Sequence, residues 1–372
     1  MSTNPEWRLL DLYMNSYPEA SAGIAPSIAK ARIEGIVPDT LALVNFRRPG
    51  VVMGYFHSPE RDVDLQYAKE NGIDVIRFPA QGLIFGHKGY LGIWSYADKK
   101  FFPDSIPEVF RYINEMVGKK LEQKFAIRAR HRPLNDLEAL IGGSWKKIGP
   151  HGAYFQEGIC IDRFCLTVTP VPMEQAERVL VVPKEKFADK SAKSIRERIG
   201  SLSEAVGSTI SMDEIREVMI DAFCEGLGIE LARGCLTEKE MDYERNFFEK
   251  HTRPEWFFAR AENRAFQEAS PKGIIKEGIR KVKEGPLIRA CICVEDRIIR
   301  GVFFSGTFFP LQDGENAPHV IEELERSIVG LEAEPSKVRK AILDNWKKIS
   351  FEVVGAKPED FAEAVLDALA RG

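Results

Sequence analysis

Residues 73–96 read IDVIRFPAQGLIFGHKGYLGIWSY, with Arg77 closing an apolar run and glycines at 82, 86, 89 and 92. Glycine lets backbone pass close to a ligand because no Cβ stands in the way. An arginine at a strand end is a fixed cation suited to a phosphate or a carboxylate. The stretch therefore reads either as a ligand cradle or as a wide hairpin with flexible glycines. A second candidate is the basic run KEKFADKSAKSIRER at residues 184–198. Charge runs are usually solvated helix faces; the other reading is an anion-facing loop whose lysines cover a phosphate. The cysteines, at 160, 165, 224, 235, 291 and 293, form no CxxC pair with a matching His/Cys set, so no zinc site is expected. Cys291 and Cys293, two apart in an apolar strand, point to one face and read as packing.

Composition narrows the class of function. The 372 residues suggest roughly two domains, and an apolar fraction of 44% supports sizeable cores. A formal charge of −4 gives no push toward nucleic acid or an anionic membrane, so small molecules or proteins are the expected partners. The start, MSTNPEWRLLDLY, has no basic region followed by an apolar core, and no signal peptide is expected. No apolar run approaches the ~18 residues a membrane span requires. A cytoplasmic protein with reduced thiols is the natural reading.

The elements that must position these residues follow from periodicity. Residues 7–12, 40–46 and 51–56 read as strands, and 20–34 as a helix with Pro26 in its first turn. Residues 62–71 read as a helix capped by Asp62 or Asp64 and stopped by Gly72. Ser105 and Glu108 frame a capping box before a helix carrying Val109, Ile113, Met116, Val117 and Leu121 on one face. Residues 137–141, the turn Gly142-Gly143 and a return strand from Trp145 follow, and 155–168 continues as strand. Ser211 with Glu214 frames a second capping box, and a further helix runs over 237–251. Residues 287–294 and 297–305 read as paired strands, and helices at 318–329, 337–346 and 361–370 close the chain. The character changes after Trp256, which places a domain boundary near residue 260.

In this order the signals resemble the lipoate–protein ligase A family, within the biotin/lipoate ligase and acyltransferase superfamily. The stretches that carry the likeness are WRLLD near the start, residues 47–77, NDLEALIGGSWKKI at 135–148 and KFADKSAKSIRERIGSL at 186–202. GVFFSGTFF and EELERSIVGLEAE beyond residue 260 are similar to the family's accessory domain. The resemblance implies an α+β fold. Residues 1–260 would form a biotin/lipoate-ligase-like catalytic domain, a mixed sheet flanked by helices. Residues 261–372 would form a smaller α+β accessory domain. It also implies that ATP, with Mg²⁺, activates lipoate or a related carboxylic acid as an acyl-adenylate such as lipoyl-AMP. The acyl group then passes to a lysine of a small lipoyl-acceptor protein domain.

Such chemistry needs no protein nucleophile; it needs positioning and positive charge against the α-phosphate and the acyl carbonyl. By resemblance Lys147 contacts both, with Lys146 beside it as the decoy; the plain alternative is an exposed strand lysine. The loop around Gly82 would lie against acyl chain and adenylate, with Arg77 at its base. His87 matches a histidine of the family's loop, although a lone histidine is more often structural. Asn135 and Asp136 would sit near the nucleotide or its magnesium. Lys190, Lys193 and Ser194 would belong to the loop that closes over the adenylate. No set of protein ligands for a resident metal is expected.

The family's loop reads Arg-Arg-x-x-Gly-Gly-Gly, then His-Asp-x-Gly-Asn. This chain has Phe78 for the second arginine, Gln81-Gly82-Leu83 for the glycines, Lys88 for the aspartate, and Tyr90 and Leu91 for Gly-Asn. After Lys147, Ile-Ser-Gly-Ser-Ala becomes Ile148-Gly149-Pro150-His151-Gly152, and the later His-His-Gly becomes Gln156-Glu157-Gly158. Side chains at Gln81 and Leu83 add bulk where backbone should approach a ligand. Leu83, Tyr90 and Leu91 would narrow or close the acyl tunnel. Two other readings therefore stand beside the ligase. One is a non-catalytic relative that binds a nucleotide, an acyl group or a lipoylated partner. The other is an octanoyl or lipoyl transferase using a cysteine. Where such relatives tend to carry the thiol, this chain has Arg130-His131-Arg132 and Asn135-Asp136.

Overall fold

The computed structural model describes residues 4–79, 82–181, 194–261, 272–283, 285–310 and 317–371. In chain order the strands are β1 (Glu6–Ser16), β2 (Thr40–Arg48), β3 (Gly50–Gly54), β4 (Asp74–Phe78), β5 (Leu83–Gly86), β6 (Tyr90–Asp98), β7 (Ala129–Arg132), β8 (Asp136–Ile141), β9 (Ser144–Gly149), β10 (His151–Gln156), β11 (Ile159–Thr167), β12 (Glu230–Arg233), β13 (Ile274–Lys281), β14 (Leu287–Glu295) and β15 (Ile298–Gly306). A six-stranded mixed sheet runs β10-β11-β6-β2-β1-β12, and smaller sheets run β4-β3-β5, β7-β8-β9 and β13-β14-β15. The fold is α+β, as the sequence implied.

The large sheet is apolar on both faces because helices cover both. Trp7, Leu9, Leu41 and Ile93 face the helices Ile106–Phe125 and Met212–Leu227. Leu10, Ala42, Val44 and Trp94 face the segment containing the helix Ala25–Ile33. The helix Glu238–Thr252 lies outside that segment and is tied to β1 by the buried pair Arg8–Glu240 at 2.6 Å. On the helix Ile106–Phe125 the periodic residues Val109, Ile113, Val117 and Leu121 are buried and Met116 is half-buried, and Ala126 in the left-handed conformation ends it.

Local chemistry modifies several expectations. Ser105 occupies the N-cap position but makes no side-chain capping bond. Thr237 and Glu240 do form a reciprocal capping box. Thr237→Ala should therefore cost about 1 kcal/mol, measured as a lowered urea midpoint. The helix expected over 20–34 opens instead as a π turn at Ala20–Ile24, followed by the α-helix Ala25–Ile33 with Pro26 in its first turn. Proline has no N–H with which to close an α turn onto the preceding residues. The helix expected over 62–71 splits into Pro59–Asp62 and Leu65–Glu70, and Asp64 is the cap, accepting from Tyr67 N at 2.8 Å.

Residues 73–96 do not form a hairpin. β4 pairs parallel with β3, β5 pairs antiparallel with the other edge of β3, and β6 leaves for the large sheet. The strand expected over 51–56 also stops early, at Gly54. Tyr55 and Phe56 turn away into a second core, built otherwise from β14, β15 and the helices Ala317–Ile328, Pro335–Ile349 and Pro358–Ala370. Phe56 stacks on Phe308 at 4.8 Å, and its carbonyl accepts from Gly306 N at 2.9 Å. Beside the proposed boundary, Arg260 reaches into that second core, pairing with Glu325 at 2.5 Å. Among the described residues no helix is long and apolar enough to cross a membrane.

Candidate functional site

The site is built on the hairpin β8–β9. Gly142 and Gly143 both take positive φ, 56° and 81°, which suits a tight two-residue turn. The register shifts between Leu137 and Glu138, so Lys147 lies opposite Glu138. Side chains two apart on a strand share a face, which sets Asp136, Glu138 and Lys147 together. Lys147 Nζ is 2.6 Å from Asp136 Oδ1, with the two side chains 27% and 17% exposed. Arg198, from the short helix Ile195–Arg198, donates to Asp136 Oδ2 at 2.7 Å and to Glu138 Oε1 at 2.5 Å. Arg130 and Arg132 of β7 donate to Glu138 at 2.8 and 3.2 Å. Burial pushes the Glu138 carboxyl up, but hydrogen bonds from Arg130 and the charge of Arg198 outweigh it and hold its pKa below the usual value.

This face thus carries four cations against two carboxylates, an excess of positive charge suited to an anion. Asn135 donates through Nδ2 to the carbonyl of His151. Ser194 caps the short helix by accepting from Glu197 N at 3.2 Å, and Gly200 N donates to Lys147 O at 3.0 Å, tying this segment to the edge of β9. Lys190 and Lys193 lie outside the described residues, as does Gln81. Lys146 points elsewhere. It lines a cleft of about 600 Å³ with Pro170, Val171, Met173, Arg196 and Gly200.

Arg77, expected at the base of the ligand loop, is held by backbone. Its side chain is fully buried, and it donates to the carbonyls of Tyr55, His57 (3.0 Å) and Phe257 (2.8 Å). It staples the chain entering and leaving the second core through Nε and Nη1, while Nη2 is buried without a hydrogen-bond partner among the described residues. Gly82 has φ +91°, and its carbonyl accepts from Gly54 N at 2.7 Å. A Cβ at Gly82 would meet no atom within 4 Å, so among the described residues backbone conformation is what requires glycine here. His87 is buried, and its Nδ1 accepts from Gly89 N at 3.2 Å. Burial, then the charge of Lys88, pulls its pKa down to about 4. An unfolded histidine titrates near 6.5, so between these values the unfolded chain binds more protons. The His87 contribution to stability is present above pH ~6.5 and is lost as pH falls toward ~4. His87→Gln should flatten the pH dependence of the denaturation midpoint across that window.

The two halves of the site meet through residues 168–169. Val168 N and Thr169 N bond Gly89 O at 2.8 and 3.3 Å, and Val168 O accepts from Ser203 N at 2.9 Å. Sequence reasoning missed Glu138, Arg130, Arg132 and Arg198 as a unit. The alternation of Arg130 and Arg132 against Asp136 and Glu138 across one turn was the available signal. The donor set does not fit a protein-built magnesium site. Among the described residues no three His, Cys, Asp or Glu side chains gather, and both oxygens of Asp136 already face cations.

Comparison with known proteins bears on what this face does. The family model of the lipoyl protein ligase A/B catalytic domain matches residues 20–224. Lipoate-protein ligase A subunit 1 of Thermoplasma acidophilum is 34% identical over 215 residues, 55% of this chain and 79% of that protein. Octanoyltransferase LipM of Symbiobacterium thermophilum is 26% identical over 259 residues, 64% of this chain and 92% of that protein. Among solved structures, the bi-partite lipoate protein ligase of T. acidophilum, described with its E2 lipoyl domain, superposes with a TM-score of 0.58 at 29% identity, covering 68% of this chain and 96% of that one. A lipoate-protein ligase A bound with ATP gives 0.57 at 27% identity, covering 68% and 98%. LipL1 of P. falciparum, in complex with lipoate, gives 0.64 at 11% identity over 92% and 95%, a likeness of fold that extends through the second core.

Proposed function

Since the chain belongs to the lipoyl protein ligase A/B catalytic domain family, we propose that it is an ATP-dependent ligase for lipoate or a similar carboxylic acid. A carboxylate oxygen of the acid attacks the α-phosphorus of ATP, the bond to pyrophosphate breaks, and an acyl-adenylate forms. The amine of an acceptor lysine then attacks the acyl carbonyl, and AMP leaves. The observation that carries this reading is the positive face around Lys147, where four cations meet two carboxylates. Lys147 turns from Asp136 to the α-phosphate oxygen, and Arg198 keeps Asp136 compensated. Charge that develops in the transition state then meets a cation already in place. The ATP-bound and lipoyl-domain-associated relatives support ATP and a small lipoyl domain as the partners.

The relatives named as octanoyltransferases keep a second reading in view. Acyl transfer through a protein thioester needs a thiol that ionises near the acyl carbonyl. Cys160 and Cys165 lie buried on β11, and burial pushes both thiols up, which favours the ligase. The test is to incubate the protein with an E2 lipoyl domain, lipoate and MgATP. The expected result is acceptor mass increased by one lipoyl group, with one AMP released per transfer. Acyl transfer from an octanoyl-loaded donor without ATP would instead establish the transferase.

A further inference from the structure

The face of the large sheet that packs against the segment containing the helix Ala25–Ile33 holds a cation without a counter-charge. Arg163 stands on β11 opposite Trp94 of β6. Its guanidinium carbon is 4.6 Å from the Trp94 ring centre, 4.8 Å from that of Phe78 and 6.0 Å from that of Tyr17. One nitrogen donates to Ser21 Oγ at 2.7 Å, while Nε is buried with no hydrogen-bond partner. No carboxylate among the described residues pairs with it. The adjacent Asp162 belongs to the opposite face, where it meets His151. Tyr96 Oη, buried in the same region, also lacks a hydrogen-bond partner among the described residues, while Tyr90 Oη and Trp94 Nε1 are met by the Cys165 sulfur. A cation screened by aromatic rings, and donors screened from water, are unfavourable unless something polar meets them.

The guanidinium of Arg163, brought from β11, lies over the ring of Phe78, the last residue of β4. The strand that carries Arg163 also touches the end of β9 beyond Lys147, through Cys165 N to Pro150 O at 3.1 Å. We propose that Arg163 is a substrate-binding residue that takes the carboxylate of the free acid before adenylation, with the rings of Phe78 and Trp94 alongside the apolar chain. This rests on the ligase reading, because the acid is the substrate of the same site.

The test is calorimetric titration of the whole protein with lipoate and with its neutral amide, lipoamide, for the wild type, Arg163→Gln and Arg163→Lys. A charge-assisted contact predicts that the wild type prefers the acid by about 10–100-fold. In Arg163→Gln acid affinity should fall to that of the amide while amide affinity is unchanged, which also reports an intact pocket. Arg163→Lys should recover most of the preference. In steady state the KM for lipoate should rise by the same factor, with the KM for ATP unmoved. An Arg163→Gln protein that keeps its preference overturns the proposal, as does a wild type that shows none or binds neither ligand. Lipoyl-AMP formation by the wild type is scored separately. If it occurs while Arg163→Gln keeps the preference, only the Arg163 assignment fails. If it does not occur although the preference depends on Arg163, only the ligase reading fails.

Discussion

Lys147→Ala is expected to lower lipoate-dependent ATP–pyrophosphate exchange by about 10²–10³-fold, the loss typical of removing one donor aimed at developing charge. The fold should hardly notice. The ion pair of Lys147 with Asp136 is partly exposed, and such pairs contribute about 0–1 kcal/mol. Asp136 keeps Arg198 on its other oxygen, so no buried charge is stranded. Lys146→Ala is the matched control. It removes the same charge one residue away, from the wall of the cleft rather than from the charged face. Exchange that survives Lys147→Ala, or that is lost equally in both variants, would remove Lys147 from the mechanism.

Glu138→Ala carries the largest expected stability change, a loss of about 3–5 kcal/mol, because a buried carboxylate is taken from arginines that depend on it. Glu138 is 1% exposed and receives Arg130, Arg132 and Arg198, the last itself buried. The denaturant midpoint reads the effect, and a midpoint that stays in place would mean that the arginines find other partners. The sign with pH follows from the lowered pKa. The carboxylate contributes fully above the unfolded carboxyl value of about 4.3 and loses its contribution as pH falls through the lower folded value. Glu138→Gln should therefore be less stable at neutral pH and should lack that part of the acid limb.

Much of this arrangement was legible in the order of residues. The periodicity of Val109, Ile113, Met116, Val117 and Leu121 marked a helix face that is buried except at the half-buried Met116. The Gly142-Gly143 turn marked the hairpin that brings Lys147 to Asp136. Arg77 was harder. A strand-end arginine reads the same whether an anion or a set of carbonyls awaits it, and one of its carbonyls belongs to Phe257, far along the chain. The stretch 73–96 looked continuous because the strand that separates β4 from β5, β3, precedes them both. Tyr55 and Phe56 looked like the end of that strand for a related reason. Apolar residues announce burial, but not which core will bury them.

The docking of Phe56 among Phe308 and the helix carrying Phe361 sets a timetable for the nascent chain. Phe361 is synthesised 305 residues after Phe56. At ribosomal speeds of about 5–20 residues per second, the aromatic pair waits roughly 15–60 s for its partners to be made. The contact is among the longest-range in the molecule, and closure over it belongs to the slow end of folding. Until then the chain carries two adhesive rings, Tyr55 and Phe56, just beyond β3. A chain lacking the helix Pro358–Ala370 leaves those rings without part of the core that buries them.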